Sequence, residues 1–178
     1  MRYQTCCFTG HREIPKLEYD IIKERLEDEV IKLIHQGVRY FGAGGARGFD
    51  TMAALTVLKF REIYPHIRLI LVLPCKNQVR GWDVKDIDLY CEIYKKADKV
   101  VCLSDTYYNG CMIARNRHLV DHNIICVCYL TKHNGGTAFT VDYATRSGLK
   151  VINIDSRPRP RTPQSTSQLR HPFRTSQA

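Results

Sequence analysis

The sequence predicts an α/β fold: a doubly wound, mostly parallel sheet with helices on both faces. Three observations lead there. Apolar runs of strand length alternate with stretches of helical spacing from residue 3 to residue 154. The run IRLILVL at 67–73 is continuously apolar, as suits a strand buried on both faces of a parallel sheet. Glycine-rich turns follow strand-like runs and open helix-like ones, the place where such sheets bind ligands.

The elements read in order. Tyr3 to Phe8 is a strand. Leu17, Ile21, Ile22, Leu26, Val30, Leu33 and Ile34 recur at helical spacing, with Pro15 before them and Gly37 after. Val38 to Phe41 is a short strand. Asp50 to Tyr64 is a helix with Met52, Leu55, Leu58 and Ile63 roughly on one face. After the strand Ile67 to Leu73, closed by Pro74, the residues Val84, Ile87, Cys91 and Tyr94 mark a third helix. Lys99 to Leu103 is a strand, Gly110 to Asp121 a helix, Ile124 to Leu130 a strand, Thr137 to Ser147 a helix, and Val151 to Ile154 a last strand.

The 178 residues suit one domain, here 1–155, and an apolar fraction of 44% can bury a core. No apolar run approaches the ~20 residues of a bilayer span. The N-terminus lacks the features of a secretion signal, so a cytoplasmic location and no membrane partner are expected. Of eight cysteines, Cys6, Cys7, Cys102, Cys126 and Cys128 lie in apolar strand-like runs, and no CxxC pair exists. They read as buried structural thiols, with no metal site. The net charge of +9 owes about half its excess to Arg157, Arg159, Arg161, Arg170 and Arg174. Residues 156–178 hold no acid, several prolines and many Ser, Thr and Gln, and read as a disordered basic tail. Such a tail is either a solvated appendage or a contact for nucleic acid through counterion release.

The chemistry-bearing residues cluster in the turns. Gly42-Ala43-Gly44-Gly45-Ala46-Arg47-Gly48 and Asn134-Gly135-Gly136-Thr137 place bare main-chain amides at helix N-termini, which suits an anion and above all a phosphate. Gly42 to Gly48 departs from the dinucleotide fingerprint, because Arg47 stands where a glycine is needed, and it lacks the Gly-Lys-Ser/Thr of a P-loop. Asp50 suits a helix cap or a ribose contact. Thr9-Gly10-His11-Arg12 puts a hydroxyl, a flexible joint and two hydrogen-bonding side chains at a strand end, with Arg12 suited to clamp a phosphate. Arg115 lies three after Met112 and four before Leu119, near the apolar face of its helix, so it calls for an internal carboxylate or an anionic ligand. Asn116 shares that side, and Arg117 reads as solvated. Lys76, Arg80 and Trp82 follow the third strand, where Trp82 either packs or stacks on a base.

Taken in order, Thr9 to Arg12, Gly44 to Asp50, Trp82, Met112 to Arg117, and Gly135 to Thr137 with Tyr143-Ala144 resemble the SLOG superfamily, and most its YpsA-like branch. The resemblance covers nearly all of residues 3–154 and implies a Rossmann-like fold, nucleotide binding and a habit of homo-oligomerisation. Gly44 to Asp50 and Arg115 to Arg117 are similar to the GGARGID and RNR motifs of the DNA-processing protein A family, which binds single-stranded DNA. Met112 to Asn116 and Asn134 to Asp142 are similar to the M-x-x-R-K and PGGxGTxxE motifs of the lonely-guy phosphoribohydrolases. In that overlay Asp142 takes the glutamate position, Asn134 the proline, Ala138 the glycine, Phe139 the threonine and Asn116 the lysine.

Three functions follow as expectations. The first is binding or sensing of a nucleotide or ADP-ribose-like ligand, a phosphorylated small molecule, with no cofactor required. Its site would comprise Thr9, Gly10, His11, Arg12, Gly42, Gly44, Gly45, Arg47, Asp50, Arg115, Asn116, Gly135, Gly136 and Thr137. The second is an N-glycosidic phosphoribohydrolase with Arg115 near phosphate and Asp142 stabilising a cation-like sugar transition state or positioning water. The third is single-stranded DNA binding through the tail and basic turns.

Overall fold

The computed structural model describes residues 2–155; the basic tail expected over 156–178 lies outside the described residues. A 3-10 turn at Arg2–Gln4 leads into strand β1 (Thr5–Gly10), followed by α1 (Tyr19–His35), β2 (Tyr40–Ala43), α2 (Phe49–Arg61), β3 (Arg68–Leu73), α3 (Val84–Lys96), β4 (Lys99–Cys102), α4 (Cys111–Asp121), β5 (Ile125–Tyr129), α5 (Gly135–Arg146) and β6 (Lys150–Asn153). All six strands are parallel, in the order β4-β3-β2-β1-β5-β6. The chain walks outward from β1 to β4, then crosses to the other side of β1 to lay down β5 and β6. The crevice at the C-terminal ends of β1 and β5 is therefore the topological switch point, where open α/β sheets take their ligands.

Alternation along each strand builds two cores. Cys6 and Phe8 of β1 face a large cluster with Ile22, Leu26, Val30 and Leu33 of α1, Phe49, Ala53 and Val57 of α2, and Ile93 of α3. Cys7 of β1 faces the opposite side with Cys126 and Cys128 of β5, Leu119 and Val120 of α4, and Ala144 of α5. Successive strand residues point to opposite faces, so the crossover at β1 moves α4 and α5 to the second face. Cys6, Cys7, Cys126 and Cys128 are all buried; burial drives the Cys6 and Cys128 thiols upward in pKa, and the hydrogen bond with Cys7, followed by burial, does so for Cys126. They behave as small core hydrophobes.

Several expectations are corrected. β1 runs two residues later than Tyr3 to Phe8, because Tyr3 is exposed in the 3-10 turn while pairing with β5 continues to Gly10 opposite Tyr129. Leu17 precedes α1 and is exposed, so it takes no part in the helix's inner face. The inner face of α3 is Ile93 with Leu89 and Tyr90 packed beside it, whereas Val84, Cys91 and Tyr94 are exposed. Cys102 is exposed because β4 is an edge strand.

Candidate functional site

Three segments meet at the switch point. Strand β1 ends in Thr9 and Gly10 and turns through His11 and Arg12. The turn packs onto the start of α2, where the Phe49 N–H donates to the His11 carbonyl at 3.1 Å. Glycine is required at two contacts here. A Cβ on Gly10 would stand 2.4 Å from the Phe49 ring, and one on Gly48, whose φ is +74°, would stand 2.2 Å from the Arg12 carbonyl oxygen. His11 is fixed on its other side, its Nε2 accepting the Thr131 N–H at 3.0 Å, while its ring meets Tyr129 edge-on. Accepting that bond leaves Nε2 without a proton, so His11 is neutral in this arrangement.

The floor of the crevice is a buried ion pair. Arg115 of α4 reaches across to Asp50 of α2, Nη1 to Oδ2 at 3.4 Å, with both side chains less than a tenth exposed. Asp50 also accepts the Ala46 N–H at 3.4 Å and the amide of Gly44. Burial pushes the Asp50 carboxyl up in pKa, with Arg115 and the loop amides pulling it partly back. Burial likewise lowers Arg115, Asp50 offsets it, and the nearby charge of Arg12 lowers it further. Desolvation is the largest influence on both partners, as physics expects of a buried pair. Arg115 Nε is buried without a hydrogen-bond partner. Arg115 thus has spare donor capacity and a repelling cation beside it.

A cleft of about 280 Å³ opens above this pair, lined by Thr9, Gly10, His11, Arg12, Asp50, Arg115, Asn116, Gly136 and Thr137, with Phe8, Ala46, Met112 and Leu119 completing its walls. Its far side is the N-terminus of α5. Gly135 has φ +85°, and a Cβ on Gly135 or Gly136 would meet nothing within 4 Å. Asn134 makes no side-chain cap and the first turn of α5 carries no acid, so its amides and its positive end face the crevice uncompensated. Asn116 Nδ2 donates to Thr140 Oγ1 at 2.8 Å, and that hydroxyl donates to the Gly136 carbonyl at 2.8 Å. This chain of bonds holds the α5 turn to α4 at a fixed distance from Arg115.

The structure does not bring every expected residue to the cleft. Gly42 lies within β2, where a Cβ would stand 3.1 Å from Leu119; its smallness serves the packing of α4. A Cβ on Gly44 would stand 1.4 Å from Arg115 Nη1, so Gly44 makes room for the arginine. Gly45, at φ +64°, is boxed in by Leu73, Gln78 and Tyr90, and its carbonyl accepts from Gln78 at 3.1 Å. Arg47 turns outward, 3.4 Å from Asp86 and 5.6 Å over the Trp82 ring. Gly135 shapes the second turn without lining the cleft, which begins at Gly136. Asp142 is exposed and ion-paired to Arg146 one turn on, because it stands five residues after the cleft-lining Thr137 and so about 140° around α5 from the cleft. Arg117 is exposed but not merely solvated: its guanidinium lies 5.7 Å over both the Phe139 and Tyr143 rings. Met112 and Thr140 are the residues that reading the sequence missed. Each was signalled by helical spacing, Met112 three before Arg115 and Thr140 four after Gly136.

Comparison with known proteins bears on this geometry. The sequence model of the YspA SLOG family matches residues 6–153. A UPF0398 protein of Brevibacillus brevis is 31% identical over 90 residues, which are 51% of this chain and 48% of that protein. The uncharacterized SPbeta prophage-derived protein YoqJ of Bacillus subtilis is 25% identical over 141 residues, 72% of this chain and 82% of that protein. The chain thus spans about half the length of the UPF0398 proteins it matches first. Among solved structures, DNA processing protein A from Helicobacter pylori, described by its single-stranded DNA binding mode, superposes with a TM-score of 0.62 at 16% identity, over 84% of this chain and 64% of that one. That likeness is one of fold.

Proposed function

The chain belongs to the YspA SLOG family, and we propose that its switch-point cleft binds the phosphate of a nucleotide or ADP-ribose-like small molecule. The observation that carries this reading is Arg115, a buried guanidinium on the cleft wall with an unpartnered Nε and a second cation, Arg12, close enough to oppose its charge. An anion between Arg12, Arg115 and the first-turn amides of α5 would relieve that repulsion and accept from those amides. Thr9 and Thr137 add hydroxyls to the same walls. Asp50 would act through Arg115, by holding its guanidinium in place.

The same geometry ranks the alternatives. A cleft of about 280 Å³ with its arginine at the floor suits a terminal or bridging phosphate of a small molecule better than a continuous polynucleotide backbone. Hydrolysis of an N-glycosidic bond would need a carboxylate beside the sugar. Asp142 faces away, and Asp50 is tied to Arg115.

Calorimetry with AMP, ADP-ribose, ribose 5-phosphate, adenosine and a short single-stranded oligonucleotide tests the reading. The expected result is saturable binding of the phosphorylated small molecules, weak binding of adenosine, and loss of about tenfold or more in affinity on Arg12→Ala. Arg12 is exposed, so its removal leaves the fold intact. Adenosine binding as tightly as AMP, or no saturation by any phosphorylated small molecule at millimolar concentration, would overturn it.

A further inference from the structure

The phosphate cleft does not stand alone. A second cavity of about 370 Å³ adjoins it, sharing Arg12 and Met112 as common walls and continuing to Asn77, Gln78, Arg80, Trp82 and Tyr107. Nothing in the binding of a phosphate uses these residues. We infer that this cavity is the base subsite of the same ligand, so that the molecule recognised is a nucleotide whose purine or pyrimidine ring stacks on Trp82 while its phosphate meets Arg115. This inference rests on the phosphate reading of the adjoining cleft and adds the class of the remaining part of the ligand.

The aromatic wall is built in advance. Trp82 is half-buried in the β3–α3 connection, with Arg47 standing 5.6 Å over its ring and Tyr90 meeting it edge-on at 5.8 Å between centroids. Arg47 is held in turn by Asp86, and Tyr90 by Gln78. Burial pushes the Tyr90 phenol up to about 12, so it remains a neutral hydrogen-bonding group at physiological pH. Gln78 is buried and donates to the Gly45 carbonyl, which ties this wall to the glycine turn beside Asp50. An indole fixed in this way loses little freedom when a flat ring stacks on it. On the opposite flank Tyr107 is 60% exposed. Asn77 and Arg80 are also exposed and offer polar groups toward the edge of a base.

A third cavity shares His11 and Arg12 with the phosphate cleft and is lined also by Glu13, Glu18, Tyr129, Thr131 and Lys132. It suits a base less well. Of its two aromatic rings, Tyr129 is 1% exposed with its hydroxyl donating to Glu18 at 2.8 Å, and the His11 imidazole is held edge-on against it. The Trp82 cavity is the one that offers an aromatic surface next to phosphate donors.

Trp82 is the single tryptophan of the chain, so its fluorescence reports on this cavity directly. The experiment titrates the full chain with AMP, GMP and ribose 5-phosphate, reading tryptophan emission and calorimetric affinity. Stacking predicts that the two nucleotides quench Trp82 and bind roughly 5- to 150-fold more tightly than ribose 5-phosphate, the span expected for one base on one aromatic ring. Trp82→Ala brings nucleotide affinity down to that of ribose 5-phosphate and leaves the latter unchanged, while Trp82→Phe retains most of the difference. Tyr107→Ala, at an exposed position that leaves the fold intact, removes part of it. Equal affinity of AMP and ribose 5-phosphate, or equal weakening of both by Trp82→Ala and no effect of Tyr107→Ala, overturns the base subsite and leaves the phosphate reading standing. No binding of any of the three overturns both.

Discussion

The two glycine turns look alike in sequence and differ in what they hold. In the first, Gly44 and Gly45 are buried, and the main-chain amides of Gly44 and Ala46 are directed at Asp50, a carboxylate of the same chain. In the second, Gly135 and Gly136 are exposed, nothing stands within 4 Å of where their side chains would begin, and no acid sits in the first turn of α5. Both are turns whose main-chain amides suit an anion. One is filled by the protein itself and the other faces the crevice. A cradle filled internally becomes scaffold: it fixes Asp50, Asp50 fixes Arg115, and Arg115 lines the cleft whose far side is the open turn.

The largest effects should come from disturbing the filled cradle. In Gly44→Ala the added methyl would occupy the place of Arg115 Nη1 and drive the guanidinium off Asp50. Separating a buried pair leaves uncompensated charge, so a loss of about 3–5 kcal/mol in unfolding free energy is expected from chemical denaturation. Gly136→Ala should change stability by no more than about 1 kcal/mol, toward stabilisation, since alanine favours a helix and the site is open. Its effect should appear instead as weaker ligand binding by calorimetry, because the methyl intrudes beside the first-turn amides. Equal destabilisation by the two substitutions would erase the distinction between the turns.

A smaller effect sharpens the scaffold reading. Burial is the leading influence on both Asp50 and Arg115, so the pair's attraction only partly offsets its desolvation. Arg115→Met alone should cost about 3–5 kcal/mol, because it leaves the Asp50 carboxylate buried without its partner, whereas the double variant with Asp50→Asn should fall within roughly 1–2 kcal/mol of the parent. The pH dependence has a defined sign. The folded pKa of Asp50 is raised above its unfolded value of about 3.9, so the folded state binds the extra proton in the window between the two. Stability relative to the double variant should therefore rise as pH falls through the folded pKa toward 4, and level off below. A relative stability that falls over that window would mean that pairing, not burial, dominates.

Much of this architecture was legible in the sequence because it depends on local periodicity. Alternation of strand and helix patterns pointed to a mostly parallel sheet, which the structure shows with all six strands parallel, and the ends of its strands located the crevice. What could not be read was which partner each glycine serves. Glycine signals that something comes close to the backbone; for Gly44 that something is a guanidinium 71 positions along the chain, and for Gly42 it is Leu119 beneath α4. The sequence left Arg115 with two candidate partners, a carboxylate or an anion. The structure supplies the carboxylate and still leaves Nε unpartnered. Exposure at the sheet's edge was equally hidden: Cys102 sits in an apolar run like those of the central strands, and only the strand order shows that β4 has no outer neighbour among the described residues.

The smallest expected effect separates binding from catalysis at the open turn. Asp142 and Arg146 are both exposed, a pair one helical turn apart whose contribution is screened by water. Asp142→Asn should therefore change stability by less than about 0.5 kcal/mol and leave AMP affinity unaltered. In the phosphoribohydrolase reading the same change removes the group that stabilises the cationic sugar, and any release of free base from nucleoside monophosphate should drop by roughly 10²–10⁴-fold. The helix decides between these outcomes. Thr140 and Ala144 face inward, and Asp142 lies between them in sequence at about 200° of helical rotation from the first. To reach a sugar in the cleft, α5 would have to turn by about half a revolution. That would break the Asn116–Thr140–Gly136 chain and withdraw the amides from Arg115. An assay for released base in the presence and absence of Asp142 therefore measures whether the second turn is a cradle or a catalytic loop. Base release that depends on Asp142 would show that α5 adopts an orientation incompatible with phosphate held as proposed.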